Sequence, residues 1–366
     1  MPLALVHDWL NQLGGAEDVL RVLKQLFSQA PIFTSIYDRA RMPASWQAWE
    51  IHSTWLDRLP GIHRYHQPYM PLFAWVWAHY RLPAEYDLIL SNKSAFCIGV
   101  RSANPQARHV CYCLTPTRFT YTFEHYAQRE RLPPGSRAIL AALNAYLRRW
   151  ETQAAQRVTR LIAISRAVQA RIARFYRRDA AVIHPPVDMP PWSPEENADE
   201  GFYLIASRLL PYKRIDLAVL AFGQLRRPLF IAGEGRDRAR LERLAAQHAS
   251  GWVRFLGRVD EAELHRLLRT CRAFVFPGEE DFGIAPVRAM AYGKPVVAYA
   301  AGGALDTVVD GMSGVLFAEQ TPAALAEAVQ RADRVRFAPA EIRRHAEQFS
   351  TARFAEALMC ELAALR

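Results

Sequence analysis

The sequence predicts an α/β protein built from two doubly wound parallel sheets. Short runs rich in Val, Ile and Leu alternate with longer stretches of helical periodicity, a pattern typical of βαβ units. The pattern occurs in two series, which one proline-rich and acidic stretch separates. At 366 residues the chain also exceeds the usual size of a single hydrophobic core. We therefore expect two domains, each with its own sheet.

The apolar runs are the predicted strands of the two sheets. A helix is predicted over 16–27, after the first of them. The strands of the first series are 3–7, 32–37, 86–91, 109–114 and 160–165, and those of the second are 202–207, 229–233, 253–257, 273–277 and 295–299. Ligands of such folds bind at the carboxyl ends of the strands, so we expect the chemistry in a cleft that the two domains share.

The predicted domain boundary is residues 185–201, PPVDMPPWSPEENADEG, because its prolines can continue neither a helix nor a central strand. We place the N-terminal domain at 1–187, the linker at 188–200 and the C-terminal domain at 201–348. Residues 349–366 are predicted as a C-terminal helix.

The chain is basic, with 46 Lys and Arg against 36 Asp and Glu and a formal net charge of +10. Such a charge favours an anionic partner. Nucleic acid does not fit, because no helix-turn-helix, zinc or RNA-binding signature occurs. Ten arginines concentrate in one region, opposed only by Glu151 and Asp179: Arg137, Arg148, Arg149, Arg157, Arg160, Arg166, Arg171, Arg174, Arg177 and Arg178.

This arginine-rich region and the aromatic stretch at 65–80 together predict a face for an anionic membrane surface or a lipid-diphosphate acceptor. A solvated basic helix face is the alternative. The longest apolar run, 69–80, has roughly half the length of a spanning helix. Since the amino end also lacks the features of a signal peptide, we expect a cytoplasmic protein, peripheral on the inner face of the cell membrane.

The five cysteines are an odd, scattered set, predicted as reduced core residues: Cys97, Cys111, Cys113, Cys271 and Cys360. No Asp-x-Asp motif occurs, so we expect no metal and no cofactor. The spacing of His63, His66 and His79 does not match that of metal ligands, and the three lie in a stretch rich in aromatic residues. Both observations favour core or acceptor-groove roles over zinc binding.

The densest motif is residues 278–311. A strand ends there, acids follow, and Gly283 opens a segment in which Ile284, Val287 and Met290 recur at helical spacing. The free amides of that helix N-terminus form a site suited to phosphate. Gly302-Gly303 precede a second helical start of the same kind. Two ordinary strand-to-helix turns are the alternative.

These motifs resemble those of the retaining glycosyltransferases of family 4. Four stretches within residues 280–303 resemble the donor-site motif of that family: EDFGI, AMAYG, GKPVVA and GG. Further resemblances, in the family's order, are HDWL at 7–10, GGAE at 14–17, VIHPPVD at 182–188, SRLLPYK at 207–213, GEG at 233–235 and FLGRV at 255–259. The match spans nearly the whole chain. HDWL and CYCLTPTRF, at 111–119, most resemble the mannosyltransferase-like branch of polysaccharide biosynthesis.

The resemblance implies a GT-B fold, with two Rossmann-like domains facing a central cleft. The N-terminal domain would bind the acceptor and the C-terminal domain the nucleotide-sugar donor, a GDP- or UDP-sugar. The C-terminal helix would pack back on the N-terminal domain. The implied reaction is a retaining, metal-independent hexosyl transfer, by best match mannose from GDP-mannose to a lipid-linked or cell-surface glycan. A non-catalytic nucleotide-sugar-binding or scaffold relative is the alternative.

Three residues are the predicted catalytic set. Arg208 and Lys213 match positions that stabilise the departing diphosphate, and their charges suit that task. Glu280 matches the first acid of the family's E-x7-E motif, implied to hold the donor sugar or position the diphosphate. The alternative for Arg208 and Lys213 is a solvated surface pair. The alternative for Glu280 is an exposed loop acid.

The predicted donor-binding residues surround this set: Gly14, Gly15, Arg258, Val259, Phe282, Gly283, Ile284 and Arg288. For Gly14 and Gly15 a plain tight turn is the alternative. Arg288 departs from the family, which usually has there a second Glu that grips the ribose hydroxyls. A guanidinium only donates hydrogen bonds and cannot copy that carboxylate.

The predicted acceptor and sugar pocket contains Asp8, Leu114, Thr115 and Arg118. Leu114 is a second departure, since related sequences commonly carry His at this position, facing the donor sugar. Leucine makes no side-chain hydrogen bond, so sugar recognition should shift. For Arg118 a structural salt bridge is as good an interpretation as a substrate contact. Leu114 and Arg288 together motivate the non-catalytic alternative.

Overall fold

The computed structural model describes residues 2–121, 134–193 and 198–365. The chain divides into two compact units, called here the N-terminal unit, Met1–His184 with Leu358–Arg366, and the C-terminal unit, Pro185–Ala357. Each contains a parallel sheet flanked by helices, which confirms the predicted fold class. The described part of the predicted linker lies in the C-terminal unit, and residues 194–197 lie outside the described residues.

The strands of the N-terminal unit are Leu3–His7 (β1), Ile32–Thr34 (β2), Ile51–Ser53 (β3), Arg81–Leu82 (β4), Leu88–Lys93 (β5), Arg101–Ser102 (β6), Arg108–Cys113 (β7), Arg160–Ala163 (β8) and Ala181–Val182 (β9). In the described residues the main sheet has the order β3-β2-β1-β5-β7-β8-β9, and β4 pairs with β6 alone. Its central strands, such as LALVH in β1, are apolar because helices cover both faces.

The helices of the N-terminal unit are Gly15–Leu26 (α1), Met70–His79 (α2), Arg118–Tyr121 (α3), Pro134–Gln156 (α4) and Arg166–Tyr176 (α5). α1 buries Val19, Leu20 and Leu23, whose spacing places them on one face. α5 begins after Ser165, whose hydroxyl accepts from the Val168 amide at 3.2 Å.

The strands of the C-terminal unit are Tyr203–Ala206 (β10), Leu229–Ala232 (β11), Val253–Gly257 (β12), Ala273–Phe276 (β13), Val296–Tyr299 (β14) and Gly314–Phe317 (β15). Its helices are Ile215–Leu225 (α6), Arg238–His248 (α7), Glu261–Thr270 (α8), Ile284–Ala291 (α9), Ala304–Thr307 (α10), Pro322–Arg334 (α11) and Pro339–Ala346 (α12). The last helix, Thr351–Ala363 (α13), begins in this unit, and its end from Leu358 belongs to the N-terminal unit.

Both sheets reverse their strand order once. The order β12-β11-β10-β13-β14-β15 reverses between β10 and β13, and the N-terminal sheet reverses between β1 and β5. The connections on either side of such a point leave a crevice at the carboxyl ends of the two strands. The loops after β10 and β13 are therefore the place for a ligand in the C-terminal unit.

The structure also corrects some sequence-based expectations. The sequence did not predict the strands β3, β9 and β15. They lie at sheet edges and have two to four residues each, too few for a clear periodic pattern. The predicted strand 32–37 ends at Thr34. Cys360 is exposed rather than buried, whereas the other four cysteines are buried and all five are free. No helix in the described ranges combines the length and apolarity needed to cross a membrane.

Candidate active site

Lys213 and Glu280 form an ion pair at the reversal point of the C-terminal sheet. A 3-10 turn over Pro211–Lys213 follows β10, and Glu280 lies in the loop after β13. Lys213 Nζ donates to Glu280 Oε1, and the two side chains are only 12% and 20% exposed. The adjacency of β10 and β13 thus joins two predicted catalytic residues that lie 67 positions apart in the chain.

Arg208 lies in the same loop as Lys213 but is exposed. No side chain among the described residues pairs with its guanidinium. The loop itself is fixed, because the Leu209 amide donates to the Glu234 carbonyl at 2.9 Å and the Ser207 amide to the Ala232 carbonyl at 3.0 Å. The protein therefore presents an unneutralised cation on an anchored backbone, beside a paired one.

Gly283 turns the chain from the acidic loop into α9. Its φ of +91° is a conformation that side chains other than glycine rarely adopt, and a Cβ there would lie 3.0 Å from the Phe276 ring. The first-turn amides of α9, beginning at Ile284, have no partner within the helix, and the Gly283 N-cap supplies no side-chain cap. An anion site at this helix start stays a prediction.

Phe282 has a different role from the one expected. Its ring is only 3% exposed and packs edge-to-face against Phe349, with the ring centroids 5.6 Å apart. A donor cannot contact a ring buried in this way. Phe282 instead anchors the loop that carries Glu280.

Gly302-Gly303 also differ from the prediction. The Gly303 amide donates to the Glu280 carbonyl at 2.8 Å, so it is not free to bind phosphate. A Cβ at Gly303 would lie 2.2 Å from the Cα of Phe282. The glycine pair therefore allows a close backbone approach that supports the Glu280 loop.

Arg288 is engaged with a residue that the sequence analysis did not name. Its guanidinium donates to Glu261 Oε2 at 2.6 Å. Burial by itself would raise the pKa of Glu261, but the hydrogen bond and charge of Arg288 outweigh it and the pKa falls. A carboxylate thus accompanies Arg288 at the start of α8, close in sequence to the predicted donor residues Arg258, which is exposed, and Val259, which is half-buried.

In the N-terminal unit, Asp8 is a structural residue rather than a pocket residue. It is fully buried after β1, and its two carboxylate oxygens accept from the amides of the next segment of chain. The donors are Ser94, Ala95, Phe96 and Cys97, at 2.6 to 2.7 Å. With both oxygens used and no exposure, Asp8 cannot contact an acceptor. It fixes the loop after β5 instead.

Gly14 and Gly15 lie at the start of α1, where Gly15 is exposed. Gly14 is the N-cap and supplies no side-chain cap. Glu17, in the first turn of the helix, is buried and 3.4 Å from the His7 ring. A carboxylate in the first turn is stabilised by the positive end of the helix dipole.

A buried network near Leu114 was missed by the sequence analysis. Lys93, at the end of β5, donates to Glu151 Oε1 at 2.6 Å, and both side chains are fully buried. Lys93 also donates to the Thr115 carbonyl at 2.7 Å and to the Tyr176 hydroxyl at 3.0 Å. The only signal in the sequence is a lysine that ends the apolar strand LILSNK.

This network positions the predicted sugar-pocket loop. Leu114 is half-buried, and its amide donates to the Lys93 carbonyl at 2.8 Å. Thr115 is 8% exposed, and its hydroxyl donates to the Pro116 carbonyl, so the side chain faces its own loop. Arg118 is half-buried at the start of α3.

The histidines of the aromatic region have protein partners. His63 lies 2.8 Å from Asp57, and His66 lies 3.0 Å from the Asn11 amide. The ring of His79 lies tilted against that of Trp75, with the centroids 4.5 Å apart. Within the described ranges, no group of three or more His, Cys, Asp or Glu is placed to hold a metal ion.

Two glycosyltransferase family profiles match the chain. The profile described as Glycosyltransferase Family 4 matches residues 13–189, and that described as Glycosyl transferases group 1 matches residues 190–348. The second range contains Arg208, Lys213 and Glu280.

Individual relatives match in part. The chain is 38% identical over 154 residues to a glycogen synthase of Aromatoleum aromaticum, which covers 38% of this chain and 31% of that protein. It is 32% identical over 202 residues to a D-inositol 3-phosphate glycosyltransferase of Frankia alni, covering 47% of this chain and 50% of that one. The matches thus span half or less of these relatives.

A solved structure resembles the chain over its length. The structure of HepE from Anabaena in complex with UDP-glucose has a TM-score of 0.74, with 19% identity and 99% of each chain covered. At this identity the likeness concerns the fold.

Proposed function

Since the chain belongs to the GT-B glycosyltransferases of group 1 and family 4, we propose that it transfers a hexose from a nucleotide sugar with retention of configuration. The observation that carries this proposal is the arrangement of Lys213, Glu280 and the exposed Arg208 at the reversal point of the C-terminal sheet. Lys213 pairs there with Glu280, Arg208 lies in the loop that carries Lys213, and α9 begins at Ile284, just after Glu280 in the chain.

The proposed chemistry is cleavage of the bond between the sugar and the nucleoside diphosphate. As this bond breaks, negative charge grows on the departing diphosphate. Arg208 and Lys213 stabilise that charge, and the amides of Gly283 and Ile284 add hydrogen bonds to it. Because Glu280 holds the Lys213 side chain and backbone hydrogen bonds hold the Arg208 loop before the donor arrives, less reorganisation opposes the reaction. Without an Asp-x-Asp motif, these cations take the task that a metal ion has in other transferases.

We assign Glu280 to the donor sugar. Its pairing with Lys213 fixes one carboxylate oxygen, which leaves the second to accept from sugar hydroxyls. In a front-face transfer the departing phosphate takes the proton of the acceptor hydroxyl as the new glycosidic bond forms. Leu114 does not participate in that step, so its replacement of histidine is compatible with turnover.

The proposed donor is GDP-mannose, and UDP-glucose is its principal competitor. The motif resemblance of HDWL and CYCLTPTRF supports mannose. The binding of UDP-glucose by HepE, which has the same fold, supports the competitor. Arg288 and Glu261 are proposed to meet the nucleotide as a pair, in which Glu261 supplies the carboxylate that accepts hydroxyl protons.

The proposed acceptor is a lipid-linked or cell-surface glycan, bound by the N-terminal unit. Exposed arginines on α4 and α5 support a site for anionic lipid, and we place the protein on the cytoplasmic face of the membrane. Gly14, Gly15 and Arg118 remain predicted ligand contacts of this unit.

The test is release of nucleoside diphosphate from a panel of GDP- and UDP-sugars, with and without lipid acceptor. Arg208→Ala and Lys213→Ala should each slow transfer by roughly tenfold to a thousandfold, because each removes a charge-stabilising group. Arg243→Ala is the matched control, since Arg243 is an exposed arginine of the same unit on α7. Near-normal rates in both variants would refute the diphosphate role, and tight nucleotide binding without turnover would favour the non-catalytic alternative.

A further inference from the structure

The N-terminal unit contains a pocket whose described lining includes none of the residues assigned to the donor. Its volume is about 610 Å³, which is within the range of small-molecule sites. The pocket lies between α4 and the end of α5, and we call it the basic pocket. The residues that define it are Arg148, Arg149, Arg174, Arg177, Tyr121 and Phe175.

Four guanidinium groups surround the basic pocket, and no carboxylate is among the described residues that line it. All four arginines are exposed. The acid nearest in sequence on α4, Glu151, is fully buried, and its Oε1 is paired with Lys93. The like charges of the pocket are therefore left without a counter-charge in the lining, which costs free energy that a bound anion recovers.

Part of the lining is fixed in place. Arg148 Nε donates to the Thr120 carbonyl at 2.7 Å, which orients the guanidinium and leaves its terminal NH groups available. The rings of Tyr121 and Phe175 stack with centroids 4.2 Å apart. Arg174 lies over the Phe175 ring, 5.4 Å from its centroid. Such stacking holds a guanidinium in one plane, ready for a bidentate contact.

The helix dipole accounts for only two of the four arginines in the basic pocket. Arg174 and Arg177 lie at the carboxyl end of α5, where cations stabilise the helix. Arg148 and Arg149 lie away from both ends of α4, where that effect vanishes. Their adjacency to the α5 arginines calls for another explanation, and a ligand of opposite charge supplies it.

We propose that the basic pocket binds a phosphate or diphosphate group of an anionic ligand. Planar guanidinium groups match phosphate oxygens bidentately, and the pocket brings four of them together from two helices. Under the proposed function, the ligand is the diphosphate of a lipid-linked acceptor or the headgroup of an anionic phospholipid. This identification of the source rests on the proposed function, whereas the binding itself does not.

The test is isothermal calorimetry with inorganic pyrophosphate at physiological salt, using three forms of the full chain. Wild type should bind two pyrophosphates, one in the basic pocket and one at Arg208 and Lys213. Arg149→Gln/Arg174→Gln should lose one of them or bind it about tenfold or more weakly, because each arginine provides charge-assisted hydrogen bonds. Arg208→Gln/Lys213→Gln should lose the other.

The control is Arg81→Gln, which removes an exposed arginine of the same unit on β4 and should leave both events unchanged. An unaltered midpoint of thermal unfolding shows that the pocket variant is folded. If that folded variant binds pyrophosphate as wild type does, the inference is overturned. If only the Arg208 and Lys213 variant binds as wild type does, the proposed donor site fails and the basic pocket stands.

Vesicle flotation distinguishes the two sources of phosphate. Vesicles of phosphatidylcholine alone are compared with vesicles that also contain phosphatidylglycerol. Weaker binding of the pocket variant to the anionic vesicles, together with a lost pyrophosphate site, assigns the ligand to a lipid headgroup. Unchanged vesicle binding, together with a lost pyrophosphate site, assigns it to the acceptor diphosphate.

Discussion

Lys93 and Glu151 are a fully buried ion pair, with an oxygen-to-nitrogen distance of 2.6 Å. Burial by itself would lower the pKa of Lys93, but the adjacent carboxylate outweighs it and the pKa rises. The second oxygen of Glu151, Oε2, is buried and has no hydrogen-bond partner among the described residues. The first oxygen, Oε1, in contrast accepts from Lys93, Thr117 and Tyr176, and Lys93 also donates to the Thr115 carbonyl, which ties the Thr115 loop to this network.

Lys93→Met should lower the free energy of unfolding by about 3 to 5 kcal/mol, because it leaves an uncompensated buried carboxylate. Glu151→Met should have a similar effect. The double variant should recover at least about 1 kcal/mol of the summed loss, since two apolar side chains of similar size can pack together. Urea unfolding of the four proteins measures this coupling, and strictly additive losses would contradict it.

Some residue-scale features were open to sequence reasoning and others were not. Arg208, Lys213 and Glu280 stand in recognisable motifs, so their shared location could be predicted. The Glu261 partner of Arg288 could not, because 27 residues separate them and only the packing of α8 against α9 brings them together. Asp8 was misplaced for a similar reason. Its role depends on the amides of residues 94–97, which no pattern around Asp8 reveals.

At the scale of elements, β7 and β5 are joined by a buried polar contact as well as by their backbone ladder. The ring of His109 on β7 lies 2.8 Å from Ser91 Oγ on β5. Burial, with a smaller contribution from the charge of Arg157, lowers the pKa of His109 from 6.5 to about 3. The folded protein therefore holds this ring neutral over a range in which the unfolded chain protonates it.

This difference predicts a pH dependence of stability. The stabilisation is fully present above the unfolded pKa of 6.5 and is lost as the pH falls from there towards about 3. Its slope is about 1.4 kcal/mol per pH unit within that window. Between about pH 7.5 and about pH 5, wild type should lose about 2 kcal/mol more than His109→Gln. Urea unfolding of both proteins at the two pH values measures the difference, and equal losses would contradict the assignment.

The accuracy of element prediction follows the length and burial of each element. β1 has the predicted bounds because its apolar run is almost wholly buried, and β12, a partly exposed edge strand, has them because Gly257 ends it. β9 has two residues and β3 three, too few to distinguish a strand from a loop by periodicity. The Gly302-Gly303 start became α10, a four-residue helix, since close packing against Phe282 rather than helix formation dictates the glycines.

At the scale of the molecule, the alternation of apolar runs with stretches of helical periodicity was sufficient to predict two doubly wound units. The boundary was placed after residue 187, and the units divide between His184 and Pro185. α13 belongs to the C-terminal unit at its start and to the N-terminal unit from Leu358. Within the N-terminal unit, Arg160 Nε donates to Glu361 at 2.7 Å. Such a contact between distant parts of the chain has no local sequence signal.

Part of the net charge of +10 belongs to two separate groups of cations. Arg208 and Lys213 account for part of it at the reversal point of the C-terminal sheet. The basic pocket on α4 and α5 accounts for another part, well separated in sequence. The cations of both sites suit phosphate groups, as the proposed transfer of a sugar from a nucleotide donor to a lipid-linked acceptor requires.

The most direct test of the proposed retaining transfer is NMR spectroscopy of the anomeric signals during incubation with GDP-mannose or UDP-glucose and a lipid-linked acceptor. We predict that one donor is consumed, that its nucleoside diphosphate appears in equal amount, and that the new linkage has the anomeric configuration of the donor. A product of opposite configuration would contradict the retaining mechanism. A nucleotide sugar that binds but is never consumed would contradict the transferase itself.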